Sequence, residues 1–484
     1  MIRPRENVPL AFPYCDRGKG KSPLGRPTCN GGKGNRHRRR IFLLLLPLLV
    51  AGAAVAQPEP ATPVDEETWT PRPGVYVGTA GCTNALCHGA AAPRGEDGDD
   101  VRNDEYTVWL SDPHRLNAFR ILESPLSQAI AEALEPGSRA TELALCRDCH
   151  ALAAAAGSAL VEAEGISCEG CHGPAGGWVD RHYERRSDWS RARSIENGMI
   201  DLRDPTNRAR LCGGCHLGDA RRAVDHRLIA AGHPQLQFEL DNFSLSERWP
   251  RHFFLDRERA TPRGESHGLR AWAVGQLVAW RDGLDFLAAR AGGGGPWPEL
   301  SSLSCRSCHH PLAGGSWRRQ PGYRFRGGLP PWSPARWVVL RALLGELAPD
   351  RLATLEADVE RLGEALSTFA DRSEVARLAA GLSRTSADLA PVVDRAEWSV
   401  ERARRLVRAL AADPALAAAD VATAEQVAFG LRSLVAYLVE HQPAQQSGTL
   451  ASRVAELFDA LADPDAFDRQ RFVDVLAALA ANGP

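Results

Sequence analysis

The stretch from Cys146 to His172 contains CRDCH (146–150) and SCEGCH (167–172), and the rest of the chain is organised around repeats of this pattern. Both units read Cys-x-x-Cys-His, and their first cysteines are 22 residues apart. A cysteine pair at this spacing, followed directly by histidine, is the attachment pattern of a c-type haem. The two thiols form thioethers with the porphyrin, and the histidine is the proximal ligand of the iron.

The pattern occurs five times, and ten of the twelve cysteines belong to it. The first copy is widened, with four residues between its cysteines. Histidine makes up only 14 of 484 residues, so its position after all five pairs favours haem over the zinc ribbons or disulfides that paired cysteines also form. We predict five covalently attached haem c groups. Their attachment residues are Cys82 and Cys87, Cys146 and Cys149, Cys168 and Cys171, Cys212 and Cys215, and Cys305 and Cys308. The proximal ligands are His88, His150, His172, His216 and His309.

The beginning of the chain predicts export. Residues 1–56 comprise a polar lead, the basic run Arg38–Arg40, an apolar segment and the small-residue end Ala54-Val55-Ala56, as in a secretory signal peptide. Cleavage before Gln57 would leave a periplasmic protein, and covalent haem attachment outside the cytoplasm agrees with this. An uncleaved segment acting as a membrane anchor is the alternative.

The charge of the exported part limits the choice of partners. Removing residues 1–56 takes eleven of the 58 basic and two of the 60 acidic residues, which leaves a net charge of about −11. An acidic protein without basic runs argues against nucleic acid and favours charge-complementary redox proteins.

We expect a mainly α-helical protein in two parts after a Pro-rich linker at residues 57–74. Residues 75–333 form a loop-rich multihaem domain, with helical patterns at 105–110, 125–134 and 269–289. Residues 334–484 lack cysteine, and their apolar spacing of three and four predicts an antiparallel bundle of about five or six helices. The bundle is either a self-contained appendage or a surface for a homo-oligomer or complex.

Distal iron ligands are predicted by elimination. The exported part has one methionine, Met199, so histidine must supply most second ligands if the irons are six-coordinate. His226 and His233 are seven residues apart, which predicts one face of one helix. The expected distal ligands are His114, His182, His226 and His233. A fifth ligand is open among His252, His267 and His310, or there is none, and His441 is expected at the surface.

Residues 75–311 resemble the multihaem cytochromes of the cytochrome c-554 family. The matching stretches are YVGTAGC (76–82), EYTVWLSDPHRLNAF (105–119) and GISCEGCHGP (165–174), with His114 at the position of that family's distal ligand. The resemblance implies a mainly helical fold, haems packed in close pairs and periplasmic electron transfer. Five haem motifs instead of four, and the C-terminal bundle, depart from the family's pattern.

Three functions remain open from the sequence. The leading hypothesis is an electron carrier with largely bis-histidine haems. The second is a multihaem oxidoreductase in which one open haem acts on a small nitrogen or sulfur species. The third is a haem module held in a redox complex by the bundle. No catalytic acid, base or substrate pocket is assigned.

Overall fold

The structure is a computed structural model that describes residues 74–94, 102–152, 164–184, 189–244, 267–293, 296–309, 329–333, 335–441, 446–463 and 467–481. Within these ranges it contains eighteen α-helices, five short 3-10 helices and one isolated β-bridge, between Leu303 and Trp332. The predicted mainly helical fold is therefore confirmed. The expected signal segment and nearly all of the expected linker lie outside the described residues.

The helices of the cysteine-rich part are short. They are α1 (Glu105–Trp109), α2 (Pro113–Leu116), α3 (Pro125–Leu134), α4 (Ala144–His150), α5 (Cys168–His172), α6 (Arg191–Glu196), α7 (Pro205–His216), α8 (His226–Ala230) and α9 (Leu240–Ser244). Three of them begin with an N-cap followed by proline, at Asp112, Ser124 and Asp204, and each cap side chain accepts a backbone N–H of the first turn. This capping explains why the chain starts helices at these positions.

The remaining helices are mostly longer. They are α10 (His267–Ala291), α11 (Ala335–Leu347), α12 (Pro349–Ser367), α13 (Arg372–Asp394), α14 (Val400–Ala411), α15 (Pro414–Ala417), α16 (Val421–His441), α17 (Gln446–Ala460) and α18 (Arg469–Ala481). Residues 335–481 thus hold eight described helices, so the estimate of five or six was too low. The helix α11 was missed because its run of buried apolar residues, VVL at 338–340 among them, has no amphipathic period.

One hydrophobic core crosses the expected boundary at residue 333. It extends from Ala209 on α7 to Leu479 on α18, and α10 lies within it, packed against α7, α13 and α16. The side chain of Trp272 on α10 is fully buried. The C-terminal helices therefore share their packing with the helix that bears the fourth haem motif.

Buried polar contacts reinforce this junction. The Asn242 amide donates to Ser433 Oγ (3.0 Å), and the Ser433 hydroxyl donates to Asp241 Oδ2 (2.7 Å). The Arg336 guanidinium donates to the carbonyl of Phe238 (2.7 Å). Buried polar groups that satisfy each other in this way specify one arrangement of the helices.

None of the described helices is long and apolar enough to cross a membrane.

Candidate haem sites

A cavity of about 1740 Å³ lies in the cysteine-rich part. Pockets for one small ligand usually measure about 300–1,000 Å³, so this cavity has room for more than one. Both cysteines and the histidine of each of the first four motifs line it, as do three predicted distal ligands, His114, His182 and His233. The cavity thus gathers four of the five motifs around one space.

In each regular motif, a single turn of the backbone puts the two cysteine thiols and the histidine ring on the same side. The second and third motifs are in α4 and α5, and the fourth ends α7. In a helix, residues i, i+3 and i+4 lie on one face, which brings both thiols and the imidazole together. The fifth motif begins with a 3-10 turn at Cys305–Ser307.

The widened first motif also brings its two cysteines to one side, through a bulge in the backbone between them. The N–H groups of Cys87 and Gly89 both donate to the Asn84 carbonyl, at 2.8 and 3.0 Å. The additional residues turn outward, where Leu86 is 79% exposed. Cys82 and Cys87 nevertheless both line the cavity.

The Arg222 side chain packs closely against Gly214, the third position of the fourth motif. A Cβ atom on Gly214 would lie 2.0 Å from the Arg222 guanidinium. This guanidinium is buried, pairs with Asp219 and donates to Cys215 Sγ at 3.4 Å. Any larger residue at position 214 would displace Arg222 from the motif.

Three proximal histidines each face a predicted distal histidine. The pairs, with the distances between ring centres, are His88 with His182 (6.1 Å), His216 with His114 (5.9 Å), and His309 with His226 (6.4 Å). Metal–imidazole bonds are about 2 Å long, so two rings on opposite sides of one iron have centres about 6 Å apart. These spacings therefore match those of two axial ligands of one metal.

The second motif has a similar neighbour. His150 and His233 both line the cavity. Burial lowers the pKa of His150, and the nearby His233 lowers it further. Burial, with His114 and His150 adding to it, also lowers the pKa of His216 to about 4. Low imidazole pKa values keep these rings neutral, which is the form that binds a metal.

Five of the candidate ligands use Nδ1 for a hydrogen bond, which leaves Nε2 for a metal. The bonds join Nδ1 of His88 to Glu105 Oε2 (3.0 Å), of His114 to Asp112 Oδ1 (3.1 Å), of His150 to Ala118 O (2.8 Å), of His182 to Val179 O (2.6 Å) and of His233 to Pro234 O (2.8 Å). Metal-binding histidines commonly donate the other ring N–H to a carboxylate or carbonyl, because this bond fixes the ring.

The expectation that His226 and His233 share one helix face was wrong. Helix α8 ends at Ala230, and Gly232 follows with a φ of 120°, a conformation that favours glycine and breaks the helix. His226 therefore faces His309 of the fifth motif, while His233 lies in the cavity that contains the second.

The motifs touch one another out of sequence order. The Cys82 and Cys168 thiols are within hydrogen-bonding reach, and so are those of Cys149 and Cys215. Cys171 lies near Cys212. The fifth motif meets the segment that bears His233, since the Cys305 thiol donates to Gln235 Oε1 at 3.4 Å. The contacts therefore run from the first motif to the third, fourth and second, and the fifth motif contacts the segment that bears His233.

Two features of the cavity fit haem. Large apolar side chains on its lining remain exposed, including Leu126 (60%), Ile121 (49%) and Tyr183 (64%), and a porphyrin face would cover such groups. Each histidine pair also supplies two nitrogens, the number that an iron needs beyond the four of a porphyrin. In the described residues the ten motif cysteines are thiols without disulfides, and no three His, Cys, Asp or Glu side chains converge on a metal site.

The other histidines are placed as follows. His252 and His310 lie outside the described residues, and His267 begins α10 with its side chain undescribed. His441 is exposed at the end of α16, where its ring lies 4.0 Å from that of Tyr437.

Sequence reasoning missed the groups that orient the ligands. Asp112 could have been found, because Asp-Pro-His is a helix start whose cap lies two residues from the ligand. Glu105 is 17 residues from His88 and gave no such indication.

Residues 83–173 match the family of cytochrome c554 and c-prime. Over residues 83–173 this match confirms the resemblance drawn from the sequence and supports a c-type cytochrome of that family. No curated protein and no solved structure matched the chain.

Proposed function

We propose that this chain, with its c-type cytochrome segment, is an exported electron carrier that holds five haem c groups, mainly through two histidines each. The observation that carries the proposal is the set of three proximal–distal ring pairs at 5.9–6.4 Å. Bound haem would supply the chemistry, a reversible one-electron change of its iron. The protein's own residues would attach it through the motif cysteines and orient the imidazoles that bind its iron.

The pairs support a proposed second ligand for individual motifs. The first motif would use His182, the fourth His114 and the fifth His226, and His233 is the best-placed ligand for the second. Histidine rather than methionine as second ligand lowers a haem's reduction potential, so we expect a low-potential carrier. Met199 packs in a small apolar cluster with Ala175 and Trp178 and also lines the cavity.

The contacts between motifs support transfer along a chain of sites. Electrons pass between cofactors that lie close together, and contacts join the first, third, fourth and second motifs in that order, while the fifth adjoins the segment that bears His233, the proposed ligand of the second. The first and fifth motifs are the ends of this series. Leu86 in the first and Cys308 in the fifth are exposed, so we expect soluble redox proteins to meet the carrier at these ends.

One mass measurement of the purified native protein tests export and haem content together. We expect a chain that begins at Gln57 and carries five haems. An intact N-terminus would contradict cleavage, and fewer than five haems would contradict the assignment of the motifs.

The electron paramagnetic resonance spectrum of the oxidised protein tests the ligation. We expect low-spin signals from the four haems that have an assigned second histidine, because two imidazoles give a strong ligand field. A high-spin signal that shifts with nitrite or hydroxylamine would favour the oxidoreductase alternative instead.

A further inference from the structure

Glu169 is a buried acid within the third haem motif, Cys-Glu-Gly-Cys-His. Glu169 is only 2% exposed, although it lies in the short helix α5 between the two cysteines of that motif. The second motif has Arg147 at this position and the fourth has Gly213. Burying a carboxylate is unfavourable unless hydrogen bonds replace its water, so its surroundings must compensate for it.

Three backbone N–H groups supply this compensation. Oε1 accepts from Val77 (3.0 Å) and Ala175 (2.8 Å), and Oε2 accepts from Gly78 (2.8 Å). An ionised carboxylate only accepts hydrogen bonds, so three donors match its charged form. Gly78 has a φ of 76°, which lets the backbone turn toward the carboxylate.

These contacts join the third motif to the first. Val77 and Gly78 immediately precede the 3-10 turn Thr79–Cys82, which delivers the first attachment cysteine. Glu164 assists from the same side, because its carboxylate accepts the N–H of Thr79 at 3.3 Å as well as the Thr79 hydroxyl. Residues 77–79, the lead-in to the first motif, are thus held by Glu169 and Glu164, which lie in and just before the third motif.

The negative charge of Glu169 acts on two groups that line the cavity, Tyr76 and Cys82. Burial raises the pKa of the Tyr76 phenol to about 12, and the carboxylate of Glu169 contributes to that rise. Tyr76 lines the cavity. The carboxylate also adds negative potential at Cys82, whose thiol neighbours Cys168.

We propose that Glu169 is a positioning residue shared by the first and third haem sites, and that its buried charge lowers the reduction potentials of both haems. This rests on the proposed function, in which both motifs carry haem. A ferric centre has one more positive charge than a ferrous one, so a buried negative charge nearby favours the oxidised form. The effect falls with distance and is screened by water for exposed acids, which limits it to the two adjoining sites.

A spectroscopic redox titration of holoprotein Glu169→Gln tests the charge. The substitution keeps the size of the side chain and removes its charge. We expect two of the five transitions to move to higher potential and three to stay in place. The control Glu142→Gln, in which the original side chain is 66% exposed, should move none. An unchanged titration, a shift of one transition only or an equal shift of all five would overturn the proposal.

Two further readouts test the positioning. The variant Glu169→Asp keeps the charge, but its side chain is too short to make all three hydrogen bonds. Amide hydrogen exchange at residues 77–78 should therefore become faster. Unchanged exchange would overturn the positioning role. Where Glu169→Gln matures poorly, peptide mass analysis should find haem missing from the first and third motifs alone. Loss from all five motifs would show a general folding defect and reject the proposal. The haem count of the unaltered protein tests the proposed function separately.

Discussion

Replacement of His182 by glycine should convert one haem in five from low-spin to high-spin. Its ring lies 6.1 Å from that of His88, with the planes 11° apart, and its Nδ1 is held by the Val179 carbonyl. Without it, the iron bound by His88 loses its second strong ligand. The oxidised variant should show one more high-spin haem than the parent, and added imidazole should restore the low-spin state by entering the vacated space.

His441→Gly is the matched control for this experiment. The His441 ring also bonds a carbonyl through Nδ1, that of Tyr437 at 2.9 Å, but it lies on α16 and not on the cavity lining. We expect no change of spin state. A spectrum of His182→Gly that remains fully low-spin would contradict the pairing of His182 with His88.

Trp272→Ala should lower the free energy of unfolding by about 3–5 kcal/mol, as large-to-small changes of fully buried aromatic residues do. The Trp272 side chain is completely buried on α10, within 3.2 Å of the position that a Cβ on Gly430 would occupy and beside the ring of Trp398. The change leaves a cavity between α10 and α16. Urea denaturation followed by circular dichroism measures the loss.

The comparison for this substitution is Val392→Ala on α13. Val392 is 42% exposed, so its truncation should alter the free energy of unfolding by no more than about 0.5 kcal/mol. A loss below about 1 kcal/mol for Trp272→Ala would show that α10 is not central to the core.

The shared core also changes how the role of the C-terminal helices can be tested. Deleting residues 335–484 would expose the buried face of α10 and remove Arg336 and Ser433, which bond the segment around α9. We expect such a deletion to destabilise the fourth haem site, since α7 packs against α10. Loss of partner binding after deletion would therefore not identify a docking surface, whereas a substitution at the exposed Arg405 would leave the core intact.

The attachment residues could be predicted because they are a local property. Two cysteines and a histidine within one turn point the same way whatever the rest of the chain does, and α4, α5 and α7 show this. The distal candidates followed by elimination, since so few histidines remained. The pattern did not show which ring serves which motif. His114 faces His216, across about a hundred residues of sequence, although its own helix is nearer in sequence to the first and second motifs.

Local sequence thus determined the helical class of the chain, and it predicted the five attachment motifs, the proximal ligands and the export segment. Tertiary structure decided the pairing of His88 with His182, the separate destinations of His226 and His233, and the contact of Glu169 with the lead-in to the first motif. The physical reason is the range of the interactions. A turn is set by neighbouring residues, whereas a pair of axial rings or a buried carboxylate needs segments far apart in sequence to meet, and side-chain packing selects those meetings.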